Sequence, residues 1–313
     1  MSISPSEGIK MMNIKKIFCI SLFMLFTMSG CKSQSIPGFD AENAYNYLKK
    51  QCDFGPRDPG SAGHQRCKDY LIRELQRYAE KVTPQVFMFS FGNPVQTVSA
   101  TNIIATFQPE KRERVLLCAH WDTRPWADRD PDPKNFKKPV LGANDGASGV
   151  AVLLEMARLF HTQKPNVGVD IVLFDAEDAG SYGNDRSWAK GSEAFAREYR
   201  SKYFPRFGIL IDMIGDADLT VYKEQFSAQY AAPVVELVWN KAAQLGITEF
   251  VPSIKFSVFD DHIPLLEAGI RCIDIIDFDY PYWHTIEDTP DKCSASSLGK
   301  IGRLLTHVVY EQK

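Results

Sequence analysis

The sequence predicts one α/β domain, an α/β/α sandwich around a central, mostly parallel mixed sheet. Three observations lead there. The runs 115–119 (VLLCA), 169–174 (VDIVLF) and 207–211 (FGILI) are short and almost wholly apolar, without the alternation of a half-solvated strand, so both their faces are covered. Amphipathic helical segments stand between them, the pattern of parallel strands joined by crossover helices. No internal repeat or low-complexity linker divides the chain, and the length that follows the first thirty-odd residues suits one large core.

Those first residues are expected to lie outside the fold. Lys10, Lys15 and Lys16 precede an apolar run, 17–28, which is followed by Ser29-Gly30-Cys31. A basic start, a short apolar core and small residues before a cysteine make a bacterial lipoprotein signal, with Cys31 as the lipidated residue. The run is too short to span a bilayer core of about 30 Å comfortably. Met28 is a poor match at the third position before the cysteine, and a start at Met11 or Met12 would bring the lysines close to the N-terminus. The expected boundaries are therefore a signal peptide over 1–31, a short tether over 32–40 and the folded domain over 41–313. Lys32-Ser33-Gln34 lack an acidic surface-export run, so the expected location is the periplasmic face of the cell envelope, with membrane contact only through the lipid.

Composition excludes some function classes. A hydrophobic content of 44% supports a globular body, and a net charge of −3 gives no surface for nucleic acid. Five cysteines remain after Cys19 and Cys31. Cys52 and Cys67 flank a loop and could pair, Cys118 and Cys272 sit in apolar strands as buried thiols, and none has CxxC spacing.

In chain order, 41–52 reads as a helix with Ala44, Tyr45, Tyr47 and Leu48 inward, and 53–63 as a turn-rich loop. Ser61 is placed to cap the next helix, whose apolar face is Tyr70, Leu71, Leu75 and Tyr78. His64, in its first turn, reads as a surface or capping residue. Strands over 86–91 and 101–107 precede the buried strand 115–119. Segment 121–142, rich in Asp, Pro and Arg, is long enough to be a site-forming loop. Helix 150–161, strand 169–174, an irregular stretch, a helix near 187–196, strand 207–211 and helix 234–245 follow. Strands 253–258 and 271–276 flank a short helical piece, 263–268, and a helix over 295–312 closes the chain.

In such sheets ligands bind beyond the carboxyl ends of the strands. There, polar residues interrupt each buried run: His120 and Asp122 after 115–119; Asp175, Glu177 and Asp178 after 169–174; Asp212 after 207–211; Asp277, and further on His284, after 271–276. The Gly-rich turn VLGANDGASG places Asp145 just ahead of helix 150–161. Singly, a strand-end Asp is usually a loop cap and a lone His a surface group. Together, these carboxylates would repel strongly without a cation, and imidazole with carboxylate suits zinc. His161 and His307 fall within helices and read as structural. His262, after Asp260-Asp261 and before Pro264, either supports the site or starts a helix.

These motifs, HWD at 120–122, the Asp145 turn, DAED at 175–178, Asp212 and WHT at 283–285, resemble the zinc-dependent aminopeptidase superfamily over residues 41–312. In that family they make a two-zinc site; the matching positions are His120, Asp145, Asp178, Asp212 and His284, with Glu177 as general base and Asp122 orienting His120. Within it the chain is most similar to the glutaminyl cyclases: Trp283 directly precedes His284, DDHIP occupies 260–264, and HWDTRPWADRDPDP occupies 120–133. The cyclase resemblance implies one zinc, held by Asp145, Asp178 and His284. It further implies Glu177, Asp212 and Asp260 as a hydrogen-bonded catalytic network, and Trp283 as a pocket wall rather than an ordinary core or rim aromatic. Position 178 is Asp where many relatives have Glu, one methylene longer. The implied reaction converts the N-terminal Gln of peptides or proteins to pyroglutamate and releases ammonia. The competing readings are a dinuclear zinc aminopeptidase, in which His120 and Asp212 hold a second metal, and a non-catalytic binding protein, whose signature of lost ligands is absent.

Overall fold

The structure, a computed structural model, describes residues 35–313; Cys31 and the expected signal segment lie outside the described residues. After irregular residues 35–40 come helices α1 (Ala41–Cys52) and α2 (Ala62–Gln76), then strands β1 (Lys81–Phe91), β2 (Gln96–Phe107) and β3 (Arg114–His120). They are followed by α3 (Ala147–Thr162), β4 (Gly168–Phe174), α4 (Lys190–Tyr199), β5 (Phe207–Asp212), β6 (Val221–Glu224), α5 (Gln225–Tyr230) and α6 (Ala232–Gln244). β7 (Phe250–Phe256), α7 (His262–Glu267), β8 (Cys272–Ile276) and α8 (Ala295–Tyr310) complete the chain.

The main sheet has the order β1-β2-β4-β3-β5-β8. β4, β3, β5 and β8 run parallel, and the β1–β2 hairpin joins antiparallel at one edge. Both faces are covered. Val115, Leu117 and Ala119 of β3 join Val169, Ile171 and Leu173 of β4 and Ile209 and Ile211 of β5 in a core with α1, α2, α3, α6 and α8. The intervening Leu116, Cys118, Val172, Phe174 and Leu210 face the other way and pack on Phe195 of α4 and Leu265 of α7. Period-two side chains inside runs apolar at nearly every position are what two covered faces require. Asp170 breaks the pattern of β4; Arg114 donates to both its oxygens, at 2.7 and 2.8 Å.

Some expectations need correction. The strand expected at 253–258 is β7, and it lies outside the main sheet: it pairs in parallel with β6, which sequence patterning did not reveal because β7 is largely solvent-exposed. α3 begins at Ala147, earlier than the apolar run alone indicated, with Gly146 as its N-cap at φ 98°. α4 starts at Lys190, after a 3-10 turn at Asp185–Ser187. Cys52 and Cys67 are not paired; both are free and buried. His64 is not a surface residue. Ser61 caps α2 at its backbone N–H, but its ring is buried, stacks on Trp121 with centroids 4.3 Å apart and lies 2.8 Å from Asp175 Oδ1. A buried carboxylate just past the end of β4 requires a partner, and the inward-turned His64 ring supplies one.

The long loop 121–142 is held from the N-terminal segment. Arg57, completely buried, donates from Nε to the carbonyl of Trp121 at 3.0 Å, from Nη1 to Leu141 at 2.8 Å and from Nη2 to Gly142 at 2.7 Å. Its backbone N–H reaches Thr123 Oγ1 at 2.9 Å. One guanidinium thus closes both ends of the loop. Replacing it leaves buried carbonyls without donors, each a desolvation loss. Arg57→Leu should lower unfolding stability by about 3 kcal/mol, read as a lower urea midpoint at unchanged slope; an unchanged midpoint would show the strap carries no weight.

Candidate metal centre

The parallel strands bring their carboxyl ends to one edge of the sheet, and β3 is where the chain order turns: β4 flanks it on one side and β5 on the other. His120 is the last residue of β3 and Asp212 the last of β5. Asp178 lies in the turn after β4, Asp145 just before α3, and His284 in the loop after β8. All five are buried and come together. The backbone is held in the left-handed region at Ala176 (φ 58°), Met213 (φ 46°) and His284 (φ 56°), conformations that non-glycine residues adopt only where their surroundings compel them.

Asp145, Asp178 and His284 form one group. His284 Nε2 is 3.0 Å from Asp178 Oδ1 and 3.5 Å from Asp145 Oδ2. Both Asp178 oxygens are buried without a hydrogen-bond partner, although Arg124 Nη1 stands 3.8 Å from Oδ1. Burial pushes the His284 imidazole down to about 3 against the pull of Asp145, so it is neutral, as a metal-ligating imidazole must be. Its Nδ1 lies 2.7 Å from the Tyr182 hydroxyl, which can accept the Nδ1 proton and leave Nε2 as a bare donor. Two carboxylates and a neutral imidazole, with orphaned oxygens facing the imidazole nitrogen, fit a zinc ion.

His120 differs. Its Nε2 is 3.1 Å from both Asp145 Oδ1 and Asp212 Oδ1. Burial alone would lower its pKa, but Asp212, Asp122 and Asp145 outweigh that and raise it well above the ordinary imidazole range. His120 is thereby tied to Asp212, whose own carboxyl pKa burial raises to about 7. Asp122 lies 3.5 Å from His120 Nδ1, too far for a good hydrogen bond. Its firm contacts are elsewhere: it accepts the backbone N–H groups of Glu177 and Asp178, each at 3.1 Å.

Glu177 and Asp260 face the same cavity of about 310 Å³, with Asp145, Asp178, Asp212, Trp283 and His284. Burial and then Asp260 hold the Glu177 carboxyl well above its usual range. The expected hydrogen-bonded chain of Glu177, Asp212 and Asp260 takes another form: His120 bonds Asp212, the Asp261 N–H bonds Asp260 Oδ1, and Asp260 Oδ2 has no partner. Charge couples these carboxylates. His262 begins α7 and turns away from the cavity, its Nε2 3.1 Å from Glu224 Oε2. Asp175 is occupied by His64 and the Thr101 N–H, and Asp277 by the Thr220 N–H, so neither joins the site.

Aromatic rings frame the imidazole. Trp283 stacks on His284 with centroids 4.0 Å apart, and Trp188 lies nearly parallel to it at 6.0 Å. Arg129 stands over Tyr182 and Trp283, at 4.5 and 5.4 Å from their centroids. Sequence reasoning missed Tyr182, Trp188 and Arg129, which fall in stretches without periodicity. It also missed Asp288, whose oxygens accept the N–H groups of Asn144 at 2.8 Å and Asp145 at 3.1 Å and so fix the turn. An acid shortly after the WHT triplet was the available signal.

Residues 102–309 match the model of peptidase family M28. The chain is 24% identical over 292 residues to a glutaminyl-peptide cyclotransferase of Bos taurus, covering 82% of this chain and 78% of that protein. It superposes on the glutaminyl cyclase of Bacteroides thetaiotaomicron, bound to N-acetylhistamine, with a TM-score of 0.86 and 40% identity, covering 89% of this chain and 100% of that one. A Zn-dependent exopeptidase of Parabacteroides distasonis gives a TM-score of 0.86 and 39% identity, with the same 89% and 100% coverage.

The Asp122 clamp has a measurable consequence. Asp122→Ala leaves the buried N–H groups of Glu177 and Asp178 without their acceptor and should cost about 2 kcal/mol of stability, seen as a lower melting temperature in calorimetry. A variant as stable as the parent would show that the turn holds itself.

Proposed function

The chain belongs to peptidase family M28, and within it we propose a glutaminyl-peptide cyclotransferase, which closes the N-terminal glutamine of a peptide into pyroglutamate and releases ammonia. The observation that carries the mechanism is the contrast between two positions of one cluster. At Asp178 two buried oxygens without partners face a neutral His284; at His120 the imidazole Nε2 already stands 3.1 Å from an oxygen of Asp145 and of Asp212. This supports one zinc, held by Asp145, Asp178 and His284, with His120 and Asp212 paired where a dinuclear enzyme would hold its second metal.

A zinc held by Asp145, Asp178 and His284 would supply Lewis-acid polarisation of the glutamine γ-carbonyl. The chain's own residues handle the rest. The cavity of about 310 Å³ takes the short glutamine side chain, with Trp283 as its wall. The substrate reacts as its free α-amine; as that nitrogen forms the new N–C bond, Glu177 takes the proton it sheds. As the C–N bond to the amide nitrogen breaks, Glu177 returns the proton to the departing ammonia. Asp260 keeps Glu177 avid for that proton, because like charges disfavour ionisation. Both reacting groups belong to one residue, so ring closure is intramolecular and the pocket need only hold one rotamer. Peptides or proteins with a free N-terminal Gln are the partners this chemistry requires.

Glu177→Gln should lower kcat by about 10²- to 10⁴-fold on a Gln-peptide, with KM and bound zinc little changed; ammonia release at the parent rate would remove Glu177 from the chemistry. Elemental analysis should find one zinc per chain, and a chelator should stop ammonia release. Two metals, together with release of free amino acid from Leu- or Ala-peptides, would establish the dinuclear peptidase instead.

The N-terminal pattern supports an envelope lipoprotein attached through Cys31, on the periplasmic side. In cells, Cys31→Ser should move the protein from the membrane fraction to the soluble one; an unchanged distribution would rule out lipid anchoring at that residue.

A further inference from the structure

Beside the pocket of the metal centre lies a larger cavity of about 760 Å³ that no group of the proposed chemistry enters. The two cavities meet: Gly183, Asp185 and Phe259 line both. Beyond Phe259 the groove runs between the turn around Arg186 and the pair of helices α5 and α7, with Phe226 and Tyr230 from α5 and Leu266 from α7 in its walls. Arg186, Arg271, Asp185 and Glu267 are its charged residues. The Arg186 guanidinium donates to both oxygens of Glu267, at 2.7 and 2.9 Å, and lies over the Phe259 ring at 5.6 Å. Tyr230 is 58% exposed and parallel to Phe226. An aromatic left so open beside the groove has apolar surface to offer.

A peptide whose first residue fills the inner pocket must leave through its mouth. Extended chain advances about 3.3 Å per residue, so the next few side chains pass Phe259. Those apolar walls reward burial of an apolar side chain. We propose that this groove is the binding site for the residues following the N-terminal glutamine, and that it selects an apolar, above all aromatic, side chain at one of positions two to four. The proposal rests on the cyclotransferase reading and adds to it a class of preferred substrate.

The test uses the full-length protein with zinc and a set of Gln-pentapeptides that carry Phe, Ala or Asp in turn at positions two, three and four, with glutamine amide as a substrate too short to reach the groove. At one position Phe should exceed both Ala and Asp, by about tenfold over Ala in kcat/KM, through KM. Phe226→Ser and Tyr230→Ser should each shrink that preference while leaving turnover of glutamine amide unchanged; Tyr230, being exposed, tests the wall without disturbing the core. Equal rates for Phe, Ala and Asp peptides at every position, or a preference that survives both substitutions, would overturn the groove and leave the cyclase standing. Failure to cyclise glutamine amide and every peptide would remove the cyclase, and the groove with it.

Discussion

The constraint on which the structure depends is the crowding of buried carboxylates at one edge of the sheet. Asp145, Glu177, Asp178, Asp212 and Asp260 face one small cavity, with Asp122 and Asp288 just behind. Left alone, such a group would protonate or push apart. Each neighbouring feature answers part of that problem. Asp122 and Asp288 are bound by backbone N–H groups from the two turns that carry the others. His120 Nε2 stands between Asp145 and Asp212, which raise its proton affinity. Arg124, itself buried, donates to the carbonyls of Asp178 and Gly180 and pairs with Asp128. Of the five carboxylates facing the cavity, Asp178 is left with both oxygens buried and unpartnered, and that is where a metal has most to contribute.

The two histidines show how one residue type is given opposite characters. His284 lies between two indole rings, and its carboxylate neighbours do not overcome burial, so it stays neutral. His120 is as deeply buried but has three carboxylates around it, which raise its proton affinity. The same side chain is thus a weaker base at one position and a stronger one at the other. The distinction between mononuclear and dinuclear chemistry in this arrangement is thus written in neighbours as much as in ligands. All the ligand types for two metals are present.

Much of the fold was legible because the main sheet is covered on both faces. Runs such as VLLCA and FGILI have one explanation in a domain of this size, and their polar ends marked the edge where the site lies. β6, and its pairing with β7 outside the main sheet, were not legible, since a short parallel pair with exposed side chains carries no strong periodicity. The site residues that sequence reasoning named are those at strand ends and in Gly-rich turns, where register fixes position. Those it missed, Arg57, Tyr182, Trp188 and Asp288, act across long sequence separations from irregular backbone. His64 was misread for the same reason: its partner, Asp175, comes from the far end of another strand. Local pattern announces which face a residue takes, but not which distant group will need its hydrogen bond.

The Arg57 strap bears on where this enzyme can be said to begin. The stretch matched by the family model starts at residue 102, and every group that touches the cavity lies after it. Yet the loop carrying Arg124 and Arg129 is tied at both ends by a guanidinium from the segment between the first two helices. A fragment trimmed to the chemistry would retain each reacting side chain and lose the clasp that shapes the wall around them. The smallest working unit is therefore set by a structural residue some distance upstream, and the N-terminal helices are part of the catalytic machine rather than a preface to it.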